Sequence, residues 1–123
     1  MLRGLFTIKS TSAEGTSAFT TKAAMNANHP VFQGHFPGTP VLPGVCSLYL
    51  IRTCTELFLG CSLRYHRVES CKFTAMIDPL RNEVITVQGN IKKDEEGIQI
   101  KALMLYGNST VLKLQATMKE ITL

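Results

Sequence analysis

The stretch HPVFQGHFPGTPVLPGV, residues 29–45, contains four of the chain's five prolines and two of its three histidines. Proline and glycine at this density interrupt regular structure, which predicts a loop over residues 26–44. Residues 43–60, PGVCSLYLIRTCTELFLG, begin with Pro-Gly and end on Gly60, a start and a stop typical of one helix of about four turns. The loop therefore holds His35 immediately ahead of a helix, and the question for function is whether His35 performs chemistry there.

The predicted helix carries apolar side chains around most of its circumference. Such a helix is typical of a buried position, because no broad polar face is left for water. We therefore expect other elements to wrap it. The apolar residues on which this expectation depends are Val45, Leu48, Tyr49, Ile51, Leu57 and Phe58.

The remaining segments predict β-strands before and after the helix. Residues 5–25 are rich in Thr, Phe and Ile and favour two short strands around a turn at Glu14-Gly15. Four more strands follow the helix, and Gly107-Asn108 is a two-residue hairpin signal between the last two. Their ranges are 67–77, 83–91, 97–106 and 109–121. An antiparallel sheet curled around one long buried helix satisfies both patterns, so we expect an α+β fold and a single domain over residues 1–123.

Composition excludes several classes of protein. Apolar residues make up 45% of the chain and charged residues 18%, as in an ordinary globular protein. The net charge of +4 is mild and no basic stripe alternates with aromatic residues, so we expect no nucleic-acid partner. A positive charge favours an acidic partner instead. The densest basic patch, with Arg64, Arg67 and Lys72, is either a docking face for such a partner or a solvated loop.

The chain shows no pattern of export or of membrane insertion. Its first ten residues, MLRGLFTIKS, turn polar too early to form the apolar part of a signal peptide. The most apolar run, residues 45–59, is interrupted by Arg52 and Glu56 and is too short to span a bilayer. We therefore expect a cytoplasmic protein without a membrane span.

The cysteines and histidines do not form a metal-binding pattern. No two cysteines lie two to four residues apart, so neither a zinc site nor a redox dithiol is predicted. Cys46, Cys54 and Cys61 lie in or beside the apolar helix, where a reduced cysteine acts as a small hydrophobic side chain. His29 and His66 lack a third ligand at suitable spacing, and His29 at the loop entry favours a structural role.

The loop motif resembles the signature of a known family. GHFPGTPVLPGV is similar to the signature of the β-hydroxyacyl-acyl-carrier-protein dehydratases of the FabZ/FabA type, in the hot-dog superfamily. The pattern His-Phe-Pro-Gly-x-Pro-Val-x-Pro-Gly-Val is matched at every fixed position from His35 to Val45. The order of elements agrees over nearly the whole chain, and residues 66–84 resemble the strand and turn that follow the helix in that family. The resemblance implies a hot-dog fold, in which a curled antiparallel sheet wraps around one long buried central helix.

The resemblance also implies an activity and partners. Members of this family eliminate water from a (3R)-hydroxyacyl chain on the phosphopantetheine arm of acyl carrier protein, which gives a trans-2-enoyl product. They need no metal or organic cofactor and act as homodimers with sites at the subunit interface. The implied pathway is fatty-acid biosynthesis or a related polyene or polyketide route.

Five residues of the motif receive roles from the resemblance. His35 removes or shuttles the proton α to the thioester, the backbone N–H of Gly44 hydrogen-bonds the thioester carbonyl, and the Val41 carbonyl holds the histidine ring. Phe36 and Pro43 are expected to contact substrate. The residue types suit these roles, because histidine titrates near neutral pH and an N–H at a helix start is unsatisfied and lies at the positive end of the dipole.

One position departs from the family pattern. The family has a Glu or Asp fourteen residues after the histidine, contributed by the other subunit, and this chain has Tyr49 there. A glutamine common four residues later is Thr53 here. The nearest downstream carboxylate, Glu56, lies about 10 Å further along the helix, which is too deep to replace the lost acid directly.

Three explanations for this substitution remain open. In the first, Tyr49 protonates or orients the departing hydroxyl, with slower catalysis expected because a phenol is a weak acid at neutral pH. In the second, the chain forms a heterodimer with another hot-dog chain that donates the carboxylate. In the third, the protein no longer dehydrates and instead binds acyl chains or cleaves the thioester.

Overall fold

A computed structural model of the chain describes residues 2–33 and 40–121. Within these residues the chain forms two strands, one α-helix and then four strands, which confirms the predicted order of elements. The elements are β1 (Phe6–Glu14), β2 (Ala18–Met25), α1 (Gly44–Leu59), β3 (Leu63–Phe73), β4 (Ile85–Asp94), β5 (Gly97–Tyr106) and β6 (Ser109–Glu120). Two single 3-10 turns lie at Pro30–Phe32 and Pro79–Arg81.

The six strands form one antiparallel sheet in the order β1-β2-β4-β5-β6-β3. The connection through α1 carries the chain from β2 to the far edge of the sheet, so β1 and β3 are the two edge strands. Alternate residues of the central strands are buried against the helix, as the period of two along a strand requires. The α+β class is therefore confirmed.

The predicted limits of the third strand, residues 67–77, were wrong. The strand begins at Leu63, where the Leu63 N–H donates to Glu56 Oε2 over 2.7 Å and Leu63 pairs with Glu120 of β6. It ends at Phe73, because the next residues leave the sheet and the Ile77 carbonyl accepts a hydrogen bond from the Leu42 N–H. Both limits depend on contacts with distant residues that a local pattern does not contain.

Helix α1 has the start and stop that the sequence predicts. Pro43 is the N-terminal cap and Gly60 the C-terminal cap, where a left-handed φ of 73° lets the Gly60 N–H donate to the Glu56 carbonyl over 2.7 Å. Six residues of the helix are buried under the sheet: Cys46, Ser47, Leu50, Ile51, Cys54 and Thr55.

The sheet of this chain covers helix α1 on one side only. Val45 is 68% exposed, and the helical repeat places it on the side of α1 opposite the six buried residues. A single sheet covers only one side of a cylinder, so the opposite face of α1 stays open. No helix in residues 2–33 and 40–121 is long and apolar enough to cross a membrane.

Candidate functional site

The loop that carries the motif is described at its two ends. Residues 34–39 lie outside the described part of the chain, and they include His35 and Phe36. The predicted roles of these two residues therefore stay predictions. The described part of the site consists of the residues at the entry and the exit of this loop.

The loop entry is anchored by a buried histidine. His29 Nδ1 accepts a hydrogen bond from the Val31 N–H over 3.0 Å, so the neutral ring carries its proton on Nε2 and donates to the Arg3 carbonyl over 3.0 Å. Both ring nitrogens are thus occupied by backbone groups. This confirms the structural role predicted for His29, which ties the N-terminal segment to the loop.

The loop exit is anchored by backbone contacts that position the helix start. Val41 and Leu42 are both 8% exposed, and the Leu42 N–H donates to the Ile77 carbonyl over 3.0 Å. Pro43 follows with an extended backbone (φ −61°, ψ 143°), which suits an N-terminal cap. The chain therefore enters α1 in one direction, with Gly44 as its first residue.

A cavity of about 190 Å³ lies at this helix start. Val41 and Gly44, two of the predicted site residues, line it together with Ser47, Phe73 and Met76. The N–H groups of the first helical turn have no acceptor within the helix and lie at the positive end of its dipole. Gly44, the first residue of this turn, thus lies at the cavity beside apolar walls, and this setting suits a thioester carbonyl.

Close packing against Phe73 favours glycine at position 44. A Cβ on Gly44 would lie 2.8 Å from Cζ of Phe73, well inside ordinary contact distance. Phe73 is 54% exposed, so its ring forms a movable wall at the helix start. The sequence reasoning missed Phe73 and Met76 as site residues. The alternation of inward and outward side chains along β3 could have predicted that Phe73 faces the helix.

Tyr49 lies elsewhere on the helix. It is not among the described residues that line the cavity, and its half-buried ring is covered by Arg52, whose Cζ lies 5.5 Å from the ring centroid. Glu56 is committed to the far end of the helix, since its Oε2 accepts the Leu63 N–H over 2.7 Å. The structure thus brings Val41, Pro43 and Gly44 together at the helix start and does not bring Tyr49 to them.

A second tyrosine, which the sequence reasoning missed, fastens β3 to the helix. The Tyr65 hydroxyl donates to the Leu48 carbonyl over 2.7 Å. Burial raises the pKa of Tyr65 above its ordinary value, and nearby Arg52 acts in the opposite direction. Tyr65 is therefore a neutral hydrogen-bond donor near neutral pH, with a structural role.

The cysteines are free thiols, as predicted. Cys46 and Cys54 are buried, whereas Cys61 and Cys71 are half-buried. Burial raises the pKa of the Cys54 thiol to about 11, so this thiol is not an activated nucleophile. In the part of the chain that the structure describes, no three His, Cys, Asp or Glu residues are grouped as a metal site.

Comparison with known proteins identifies the family. Residues 10–114 match the ApeI-like family, described as ApeI dehydratase. The chain belongs to this family. The FabZ-like resemblance of its loop motif is confirmed with it.

The curated relatives of this ApeI-like chain include several FabZ proteins. The 3-hydroxyacyl-[acyl-carrier-protein] dehydratase FabZ of Syntrophomonas wolfei is 28% identical over 102 residues, which are 73% of this chain and 71% of that protein. The FabZ of Latilactobacillus sakei is 35% identical over 81 residues, 60% of this chain and 58% of that protein. The match to the FabZ of Ruegeria sp., at 34% identity, spans only 46% of that protein.

Solved structures support the fold of the ApeI-like chain. A chain of the dehydratase heterocomplex ApeI:P from Xenorhabdus doucetiae aligns with a TM-score of 0.75 at 15% identity, over 92% of this chain and 96% of that one. A structure from work on dehydratase substrate selection in the borrelidin and fluvirucin polyketide synthases aligns with a TM-score of 0.57 at 14% identity, over 89% and 40%. These likenesses confirm the predicted hot-dog fold.

Proposed function

We propose that this chain is a subunit of a dehydratase that eliminates water from a (3R)-hydroxyacyl thioester and gives a trans-2-enoyl thioester. The acyl group is carried on the phosphopantetheine arm of acyl carrier protein, in fatty-acid biosynthesis or a related polyene or polyketide route. The observation that carries this proposal is the cavity at the start of α1, which is lined by two residues of the motif, Val41 and Gly44.

The proposed chemistry divides between a base and a polarising group. His35 takes the proton from C2 of the acyl chain, and the resulting negative charge on the thioester oxygen is stabilised by the Gly44 N–H. The C2–C3 double bond forms as the C3–O bond breaks, and the departing hydroxyl leaves as water after it receives a proton. The elimination transfers no electrons to or from another molecule, so no redox cofactor enters the proposal.

The identity of the acid that protonates the departing hydroxyl depends on which subunits form the dimer. Tyr49 holds the position of the family carboxylate but does not line the cavity of its own chain. A residue on the open side of α1 is well placed to serve a second subunit packed against that side. In a homodimer this group is the phenol of Tyr49, a much weaker acid than a carboxyl group.

A heteromeric enzyme is the second candidate, and two observations favour it. The open side of α1 exposes the apolar residue Val45, as a surface that another subunit covers would do. The ApeI:P neighbour is, by its description, a dehydratase heterocomplex. A partner hot-dog chain with a helix carboxylate would supply the acid that this chain lacks, while His35 and Gly44 remain the contribution of this chain.

The proposal is tested by assaying the purified protein with a (3R)-hydroxyacyl N-acetylcysteamine thioester. Enoyl product is measured by its ultraviolet absorbance, first with the chain alone and then with an added FabZ-type chain that carries the helix carboxylate. We expect slow turnover alone and an increase of about 10²-fold or more when a carboxylate becomes available, from the added chain or from Tyr49→Glu. His35→Ala removes turnover in every pairing.

Several results would contradict the proposal. Turnover that survives His35→Ala would show that the base is another group. Turnover of the chain alone that is unchanged by Tyr49→Phe would exclude the tyrosine as the acid of a homodimer. Release of free thiol without enoyl product would show a thioesterase, and acyl binding without any product would show a binding protein.

A further inference from the structure

A basic groove lies on the outer face of the sheet, on the side opposite the helix. Its volume is about 520 Å³. Lys72, Lys101 and Lys113 line it, one from each of three neighbouring strands, and all three are exposed. Amide side chains fill the positions between and beside these lysines; they belong to Gln88, Asn90 and Gln115.

The strand register concentrates the three positive charges. Lys72 of β3 is directly opposite Lys113 of β6. Lys113 is opposite Leu103 of β5, so Lys101 is its diagonal neighbour on the same face. Like charges in directly opposite positions destabilise a sheet. The arrangement therefore carries a small cost in folding, which a bound anionic group would offset.

The structure gives these lysines no acidic partner among residues 2–33 and 40–121. The residues that line the groove include no Asp or Glu. Both ion pairs in the described residues belong to Arg67, which contacts Glu69 at 2.8 Å and Glu96 at 2.9 Å. The members of the basic patch predicted from the sequence therefore differ in their surroundings. Arg67 is neutralised by Glu69 and Glu96, whereas Lys72 belongs to the groove.

The groove adjoins the strand ends that frame the cavity at the helix start. Lys72 is followed by Phe73, and Lys113 lies two residues after Val111. Phe73 and Val111 both line the cavity at Gly44 from the inner face of the sheet. A partner seated on the groove would thus lie beside the same strand ends that bound the candidate site.

We propose that this groove is a docking surface for an acidic protein, and that the protein is the carrier that delivers the acyl chain. The choice of carrier rests on the proposed function, whereas the acidic character of the partner rests on the three lysines. They are spread over two strand spacings, roughly 10 Å, a width that suits a row of carboxylates on a protein surface. Complementary charge of this kind steers encounter and sets orientation.

The test compares two variants of equal net charge. The groove variant changes Lys72, Lys101 and Lys113 to Gln, and the control changes Lys9, Lys22 and Lys93, which are exposed and do not line the groove. Each variant lowers the formal charge from +4 to +1, since three positive charges are removed.

The affinity of each variant for a fluorescent, phosphopantetheine-bearing acyl carrier protein is measured by anisotropy at low and physiological salt. We expect roughly ten-fold weaker binding for the groove variant, a flatter salt dependence, and less than about a two-fold change for the control.

Equally weakened binding in both variants would show an effect of net charge alone and would overturn the proposal, as would unchanged binding in the groove variant.

A kinetic experiment distinguishes the anions that the groove could bind. The groove variant should lower kcat/KM with a carrier-protein thioester and leave it unchanged with an N-acetylcysteamine thioester. An equal loss with a coenzyme A thioester would show that the lysines bind phosphate and would overturn the choice of a protein partner. Failure of the N-acetylcysteamine thioester to react in any pairing refutes the proposed function, and the binding result still decides whether the groove docks an acidic protein.

Discussion

The two sides of helix α1 differ sharply in how completely one chain covers them. On the sheet side Leu50 is 1% exposed and Ile51 is fully buried, whereas on the opposite side Val45 is 68% exposed. All three residues are apolar, so hydrophobicity alone does not distinguish the two sides. The sheet of this chain covers one side of the helix and leaves the other side open.

The same contrast separates the candidate chemical groups. The cavity with Gly44 belongs to the helix start beneath the strand ends, and Tyr49 with Arg52 belongs to the open side. A site that uses both needs two chains, because one helix cannot turn both groups toward one cavity.

The largest effect is expected from truncating the buried side. Leu50→Ala should lower the free energy of unfolding by about 2–5 kcal/mol, since it leaves a cavity in the core. The change Val45→Ala on the open side should cost less than about 0.5 kcal/mol in the single chain. Urea unfolding at low protein concentration measures both. An equal cost for the two would show that the open side is covered in the folded protein, and would break the comparison.

Alkaline pH should weaken the buried side, most strongly through the thiol of Cys54. Burial raises the pKa of Cys54 to about 11 from an ordinary value of 9.0, so the unfolded chain loses this proton first as the pH rises. The stability present below pH 9 should therefore fall between pH 9 and pH 11, by roughly 2–3 kcal/mol for this group. Urea unfolding across this range should show a shallower fall for Cys54→Ala. Cys61→Ala is the control; the pKa of this half-buried thiol is also raised, but its removal should leave a curve closer to that of the wild type than Cys54→Ala does.

The helix start should tolerate little added volume. Gly44→Ala should cost about 1 kcal/mol in unfolding free energy, because the new methyl group meets the Phe73 ring and that exposed ring must move. In a Phe73→Ala background the same substitution should cost nothing. A double-mutant cycle by urea denaturation measures the coupling. Additive effects of the two changes would contradict the close packing at this end of the cavity.

The smallest effect is expected on the open side. Tyr49→Phe should change the free energy of unfolding by less than about 0.5 kcal/mol, because no described residue hydrogen-bonds the Tyr49 hydroxyl and a Phe ring keeps its contact with Arg52. Thermal unfolding followed by circular dichroism checks this value. A loss above about 1 kcal/mol would mean that the hydroxyl is buried by a partner, which would sharpen the case for a subunit interface there.

Local signals predicted much of the fold correctly. Pro43 and Gly60 mark the limits of α1 because capping depends on backbone conformation within a few residues. The limits of β3 were not predictable in the same way, since Leu63 is held by Glu56 and the strand ends where residues 74–77 turn toward the loop before the helix. For the site, the motif predicted Val41 and Gly44, but Phe73 reaches the cavity only through the pairing of distant strands.

The order of elements, the limits of the helix, the family and the residues of the motif could be predicted from the amino-acid sequence, because each depends on neighbouring residues or on a matched pattern. Three features became evident only in the folded chain: which side of α1 is covered, that Tyr49 lies away from the cavity at Gly44, and that Lys72 joins Lys101 and Lys113 while Arg67 is neutralised. These outcomes depend on strand register and on which residues, far apart in the chain, the sheet brings together. The apolar sequence of a helix predicts that other elements cover it, but how much of it one chain covers depends on the tertiary structure.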